Sequence, residues 1–110
     1  MVAYIIVDID VHNPEPYREY LKKITPTVAA CGGRYLVRGA RTKVLHGNWQ
    51  PERVVVMEFP DWERAQHWAT CEEYQPIHQL RQANASVRMI LVDGSVEAQC
   101  RVSASISTLC

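Results

Sequence analysis

Glu58 is the only charge in the otherwise apolar run Val54 to Phe59. Burial there would raise its pKa and make it a usable general acid or base. The alternative is an internal ion pair. Tyr74 and Arg81 stand seven apart, two turns along one helical face, and together could hold the anionic end of a ligand. The plainer reading is a core tyrosine and an arginine that bonds the end of a helix or strand. His78 lies one turn beyond Tyr74, where an imidazole could shuttle protons near neutral pH. Trp62 and Trp68 could line an aromatic pocket, or simply fill the core. His67 and Cys71 have the i, i+4 spacing of a metal pair, but no second pair accompanies them, so no metal site is expected. His12 and His46 sit near loops without a spacing signal. No Ser-His-Asp set, phosphate loop or dinucleotide fingerprint is present, and no cofactor is expected.

These groups must be positioned by a strand–helix–strand unit that occurs twice. The apolar run Val2 to Val11 leads into a helical stretch that stops at Gly32-Gly33, where the strand Arg34 to Arg38 begins. A second run, Arg53 to Phe59, passes through Asp61 into more helix and ends in Val87 to Val92. Two such halves predict an α+β, ferredoxin-like β-α-β-β-α-β protomer with helices on one face of an antiparallel sheet. The strands are apolar on both faces and two helices cover only one, so a homodimer with sheets packed face to face is expected.

Local signals add detail. Asn13-Pro14 predicts a capped helix start, followed by a core stripe of Tyr17, Tyr20, Leu21, Ile24 and Val28. Pro26 predicts a break or kink, with Thr25 able to cap a second piece. Gly39 marks an expected bulge, Thr42 to His46 a further strand-like piece, and Gly47-Asn48 a turn. Pro60-Asp61 opens a helix with Trp62, Ala65, Trp68 and Ala69 inward, and a break at Cys71 starts another. From Val96 to Ile106 apolar and polar residues alternate, which predicts an added edge strand in the extension 95–110, beyond a domain at 1–94.

Composition sets the bounds. The chain of 110 residues is one domain by length, 47% hydrophobic and 22% charged. Twelve basic residues balance twelve acidic ones, so no overall field would draw in nucleic acid or an anionic membrane. Arg34, Arg38, Arg41 and Lys43 form the densest basic stretch, read as a solvated edge. No apolar stretch approaches a membrane span, and the N-terminal run, broken by Asp8 and Asp10, reads as a strand rather than a signal peptide. Four separated cysteines without a Cys-x-x-Cys pair fit reduced thiols and a cytoplasmic setting.

The segments GGRYLVRG (Gly32 to Gly39), LHGNWQPERVVVMEFPD (Leu45 to Asp61) and EEYQPIHQLRQ (Glu73 to Gln82) resemble the short bacterial family called domain of unknown function thirteen-thirty, within the dimeric α/β-barrel superfamily. The likeness runs over residues 1 to about 94. Departures are Ala40, where the family commonly has glycine, His46 and Asn48, where it has acidic residues, and Cys71, where it has serine. The tail has no counterpart. The resemblance implies a ferredoxin-like dimer and a ligand pocket between the sheet and the helices. It places Arg38 on the family's arginine, able to fix a carboxylate or enolate oxygen with two hydrogen bonds. An ion pair of Arg38 with Glu58 or Asp8 is the alternative. Tyr74 and Arg81 fall on the family's own pattern, whereas His78 does not, which favours an exposed histidine.

Three functions follow from these signals. The first is a cofactor-independent enzyme (monooxygenase, isomerase, dehydratase or cyclase type) acting on a small aromatic or carboxylate-bearing molecule. In it Arg38 stabilises negative charge, Glu58 or His78 moves a proton, and Tyr74, Arg81, Trp62 and Trp68 bind the ligand. The second is a non-catalytic dimeric module that binds a metabolite in the same pocket. The third is a haem protein ligated through His67 or His78. Arg38 and Glu58 pointing together into one cavity would favour the enzyme, and their loss to a surface ion pair would favour the module.

Overall fold

A computed structural model describes residues 2–39 and 41–94. Strand β1 (Ala3–Val11) is followed by α1 (Pro14–Ala30), β2 (Arg34–Arg38), β3 (Val54–Phe59), α2 (Trp62–Thr70), a short 3-10 turn at Glu72–Tyr74, α3 (Gln75–Asn84) and β4 (Ala85–Asp93). The four strands form one antiparallel sheet in the order β2-β3-β1-β4. This is the ferredoxin-like arrangement that the repeated unit predicts.

Period-two alternation decides which side chains meet the helices. Ala3, Ile5, Val7 and Ile9 of β1 and Val55, Met57 and Phe59 of β3 are buried on one face. The core is closed from above by Tyr17, Tyr20, Ile24 and Val28 of α1 and by Ala65 and Trp68 of α2. The opposite face carries Tyr4, Ile6, Val54, Val56 and Glu58, with Ile90 at 58% exposure. No helix covers that face among the described residues, and no described helix is long and apolar enough to cross a membrane.

Several local expectations are corrected. Helix α1 runs unbroken through Pro26. Thr25 does not cap a new helix there: its hydroxyl donates to the Leu21 carbonyl at 2.8 Å, a bond within the same helix. Asn13 occupies the N-cap but its side chain makes no capping bond; its amide donates instead to Asn84 Oδ1 at 3.2 Å. Asp61 does cap α2, accepting from the Arg64 amide at 2.8 Å. Thr42 to His46 forms no strand, since β2 is the sheet edge and this stretch has no described partner to pair with. Trp62 is 39% exposed rather than inward, because α2 turns Ala65 and Trp68 to the core. His78, expected in solvent, is buried.

The bulge is not at Gly39 but two to four residues earlier. Tyr35 pairs with Met57 and Val37 with Val56, so Leu36 is the extra residue in the β2 ladder. Gly39 keeps a positive φ of 76°, and its amide still donates to the Val54 carbonyl at 2.8 Å. Ala40 and the alternating stretch of the extension 95–110 lie outside the described residues.

Candidate functional site

The register shift at Leu36 creates the site. In a regular pleat Arg34, Leu36 and Arg38 share one face. Here Arg34 lies opposite Glu58 on the open face, whereas Arg38 lies opposite Val55 on the helix face. Arg38 therefore joins Tyr35, and its guanidinium carbon sits 4.1 Å from the centroid of that ring. Arg38 Nη2 also donates to Thr25 Oγ1 of α1 at 3.3 Å.

Behind this pair a narrow cavity runs between α1 and the sheet, with about 30 Å³ of open space, room for a water or two or for one carboxylate group. Its floor is apolar: Val7, Ile9, Val55, Met57 and Met89. Its wall is aromatic, made of Tyr17, Tyr20, Tyr35 and Trp68. Arg38, Arg53 and Arg81 also line it, and among the described residues no carboxylate does. Exposure falls from Arg38 at the mouth to Arg81, which is only 8% exposed.

None of these three arginines is within ion-pair distance of an acidic side chain among the described residues. Arg53 Nε and Arg81 Nε are buried without a hydrogen-bond partner among those residues. Arg53 owes its position to Gly39: a Cβ there would collide with Arg53 Nε, so the glycine leaves the guanidinium room to lie against the chain. Arg81 meets His78, whose Nδ1 stands 3.1 Å from Arg81 Nη1. The other ring nitrogen of His78, Nε2, is 3.1 Å from the Trp68 carbonyl, and the two rings meet edge to face at 5.0 Å and 89°.

Burial and charge oppose each other at the phenols. Desolvation pushes Tyr20 up to about 12 although the Arg81 charge beside it pulls the other way. Burial likewise raises Tyr17, against the pull of Arg53, Arg81 and Arg38 together. Tyr35 is raised by burial too, against a hydrogen bond to Thr25 and the charge of Arg38. All three phenols keep their protons at neutral pH and present O–H donors among guanidinium groups. The cavity offers donors and positive charge. It offers no base.

The expected site residues are only partly assembled. Arg38, Arg81 and Trp68 line one cavity, and His78 stands directly behind Arg81. Glu58 does not join them: it lies on the open face, 3.1 Å from Arg34 Nε, with its side chain 21% exposed. Tyr74 is also elsewhere. It belongs to the 3-10 turn rather than to α3, so seven residues do not place it above Arg81; its hydroxyl accepts from Cys31 Sγ at 4.0 Å. It shares an outer groove with Arg64 and the exposed His67. Trp62 lines none of this cavity. Both nitrogens of His78 are engaged, which leaves no lone pair for a haem iron. Among the described residues no three His, Cys, Asp or Glu side chains are grouped as metal ligands.

Arg53 and the three tyrosines were not anticipated. Arg53 adjoins the same apolar strand as Glu58 and is the cation at its other end, a signal that could have been used. Tyr17 and Tyr20 carry helical spacing, which marks a core stripe and hides a polar tip.

A family model described as Domain of unknown function (DUF1330) matches residues 2–95. The chain belongs to this family. No curated protein matches it. A protein of unknown function from Rhodopseudomonas palustris has the same fold, with a TM-score of 0.69 at 17% identity over 84% of this chain and 81% of that one. SnoaB, a cofactor-independent oxygenase from Streptomyces nogalater, is similar at a TM-score of 0.56 and 10% identity, over 84% and 92% of the two chains. A Bacteroides thetaiotaomicron protein of unknown function, described as a possible oxidoreductase, gives 0.54 at 10% identity over 84% and 96%. At these identities the likeness is one of fold.

Proposed function

We propose that this DUF1330 chain binds a small organic anion, its acid group held among Arg81, Arg53 and Arg38 and its body against Tyr35 at the mouth. The observation that carries this is Arg81, 8% exposed, with no carboxylate in ion-pair reach and Nε unpartnered among the described residues. An arginine cannot shed its proton to escape burial. Its desolvation costs several kcal/mol that the bonds to His78 and Tyr20 offset only in part, and an entering carboxylate would supply the missing counter-charge. A site of this kind sacrifices stability for affinity.

Benzoate and benzamide are suitable probes, equal in shape and different in charge. A ligand that binds only the native state raises the melting temperature with concentration. Benzoate should raise Tm and benzamide should not, and Arg81→Met should abolish the benzoate shift. Equal shifts from both probes, or none from benzoate, would overturn the reading.

Catalysis is the second reading, and one observation favours it. Three guanidinium groups and three protonated phenols around one cavity would stabilise an oxyanion that develops on a bound enolisable molecule. Against it stands the lack of a proton acceptor in the cavity: Glu58 is paired with Arg34 on the other face, and the nitrogens of His78 are occupied. The binding role is the better supported of the two. Deuterium uptake from solvent into a β-diketone, faster with the protein than without, would restore the catalytic one.

The sheet face that no described helix covers supports a homodimer. Leu36, Ile90 and Val92 are exposed at 44%, 58% and 36%, beside Ile6 and Val56 in the adjoining strands. A contiguous apolar face of this sort on a single domain is a surface for a second copy.

A further inference from the structure

We infer that His78 is a positioning residue for Arg81: it serves as a fixed neutral acceptor that holds the guanidinium at the cavity, and it does not relay protons. The inference rests on the anion-binding reading of the cavity.

Hydrogen-bond polarity leaves His78 one choice. The Trp68 carbonyl can only accept, so His78 Nε2, 3.1 Å away, carries the proton. Arg81 can only donate, so His78 Nδ1, 3.1 Å from Arg81 Nη1, presents its lone pair. Both partners are obligate, and the tautomer is fixed between them. The orientation of the ring is fixed as well, since the indole of Trp68 meets it edge to face at 5.0 Å. His78 and Arg81 are three apart on α3 and so lie on one helical face, while Trp68 comes from α2. The imidazole thus ties a cavity-lining cation to the backbone of a different helix.

Protonating His78 would turn Nδ1 into a donor aimed at Arg81. Nothing around the ring would compensate. Among the described residues Arg81 is the one charge acting on His78, and α2 supplies the Trp68 carbonyl and ring. From α1 the nearest titratable group to Arg81 is the Tyr20 phenol, which keeps its proton. From β4 the side chains packed on the core are Ala85, Val87, Met89 and Leu91, all apolar. Arg38 and Arg53 add further positive charge in the same cavity. Burial and the Arg81 charge accordingly hold the His78 pKa below its ordinary value, with the Trp68 bond acting in the other direction. Where acid does charge the ring, Arg81 loses its anchor and anion affinity falls.

Two substitutions separate anchoring from mere packing. His78→Phe keeps a ring but removes the acceptor. His78→Asn reaches about as far as Nδ1 with an amide oxygen that accepts from Arg81 and cannot charge. Benzoate would be titrated calorimetrically into the wild type and both variants from about pH 5 to about pH 8. His78→Phe should weaken benzoate about tenfold or more, the cost of a lost hydrogen bond to a charged group. His78→Asn should restore most of the affinity and flatten the acidic limb seen with the wild type. Nitrogen-15 spectra of the ligand-free wild type should show His78 neutral, with the proton on Nε2.

A His78 proton on Nδ1 at neutral pH, or a Phe variant that binds benzoate like the wild type, would overturn the inference. An acidic limb that persists in His78→Asn would assign the pH dependence to another group and overturn it too. Failure of the wild type to bind any benzoate is a different result: it removes the anion site, and the tautomer then decides alone whether His78 anchors Arg81.

Discussion

The guanidinium of Arg38 stacks 4.1 Å over the ring of Tyr35, although the two residues are three apart in one strand. A regular strand would turn them to opposite faces. The extra residue Leu36 changes the parity, so that Tyr35 opposite Met57 and Arg38 opposite Val55 both look toward the helices. The bulge absorbs Leu36, so Arg38 keeps Val55 as its ladder partner and stays in the cavity. Deleting Leu36 should close the bulge into a regular ladder with the same pairs, and benzoate affinity should be unchanged. Inserting one residue after Val37 should turn Arg38 to the open face and weaken benzoate. Calorimetric titration of both variants checks this pair of outcomes.

Gly39 combines a φ of 76° with the close approach of Arg53. Gly39→Ala should destabilise the fold by about 1–3 kcal/mol from the backbone alone. It should also displace Arg53 and reduce the benzoate-induced rise in Tm. Urea unfolding measures the first effect and thermal shift the second.

Glu58 and Arg34 are paired across strands away from the cavity, with the arginine side chain 70% exposed. Glu58→Gln should change stability by less than about 1 kcal/mol, as exposed ion pairs do. It should leave the benzoate shift intact. Loss of binding in this variant would place Glu58 back among the ligand-binding groups.

His78 also predicts how stability follows pH. Its pKa in the folded chain lies below the ordinary 6.5 because of burial first and Arg81 next. As pH falls below that ordinary value, the unfolded chain takes up the proton first, so His78 makes the fold lose stability toward acid. One proton limits the slope to about 1.4 kcal/mol per pH unit, and the loss stops once the folded-state pKa is passed. The difference in unfolding free energy between the wild type and His78→Asn, followed through this window, should carry that slope. A pH-independent difference would show that His78 titrates alike in both states.

Ile90 stands on the open sheet face beside Ile6, 58% exposed. Ile90→Asp should convert a dimer to a monomer without unfolding it, since this side chain contributes nothing to the core beneath the helices. Light scattering on the eluting peak reads the mass, and far-UV circular dichroism checks the fold. A wild type that elutes as a monomer at micromolar concentration would remove the dimer.

The order of elements was legible in the sequence because burial imposes periods that a chain cannot hide. Tyr17, Tyr20, Ile24 and Val28 could only be one face of a helix, and the apolar runs at β1, β3 and β4 could only be strands. Arg38, Arg81 and Trp68 were legible as candidates for one cavity. Their companions were not. Glu58 sits in a strand apolar on both sides, so its neighbours do not reveal which side it faces; pairing with Tyr4 and Arg34 decided that. Tyr74 lost its helical relation to Arg81 when its turn tightened to 3-10 geometry, a change of pitch that spacing cannot announce. Arg53 entered the cavity because Gly39 has no side chain, and Arg38 because Leu36 shifts a register. Hydrophobic periodicity is local and survives any packing, so the sequence alone determined the layers. The convergence of three cations around one space depends on contacts between residues distant in the chain, and only the tertiary structure decided it.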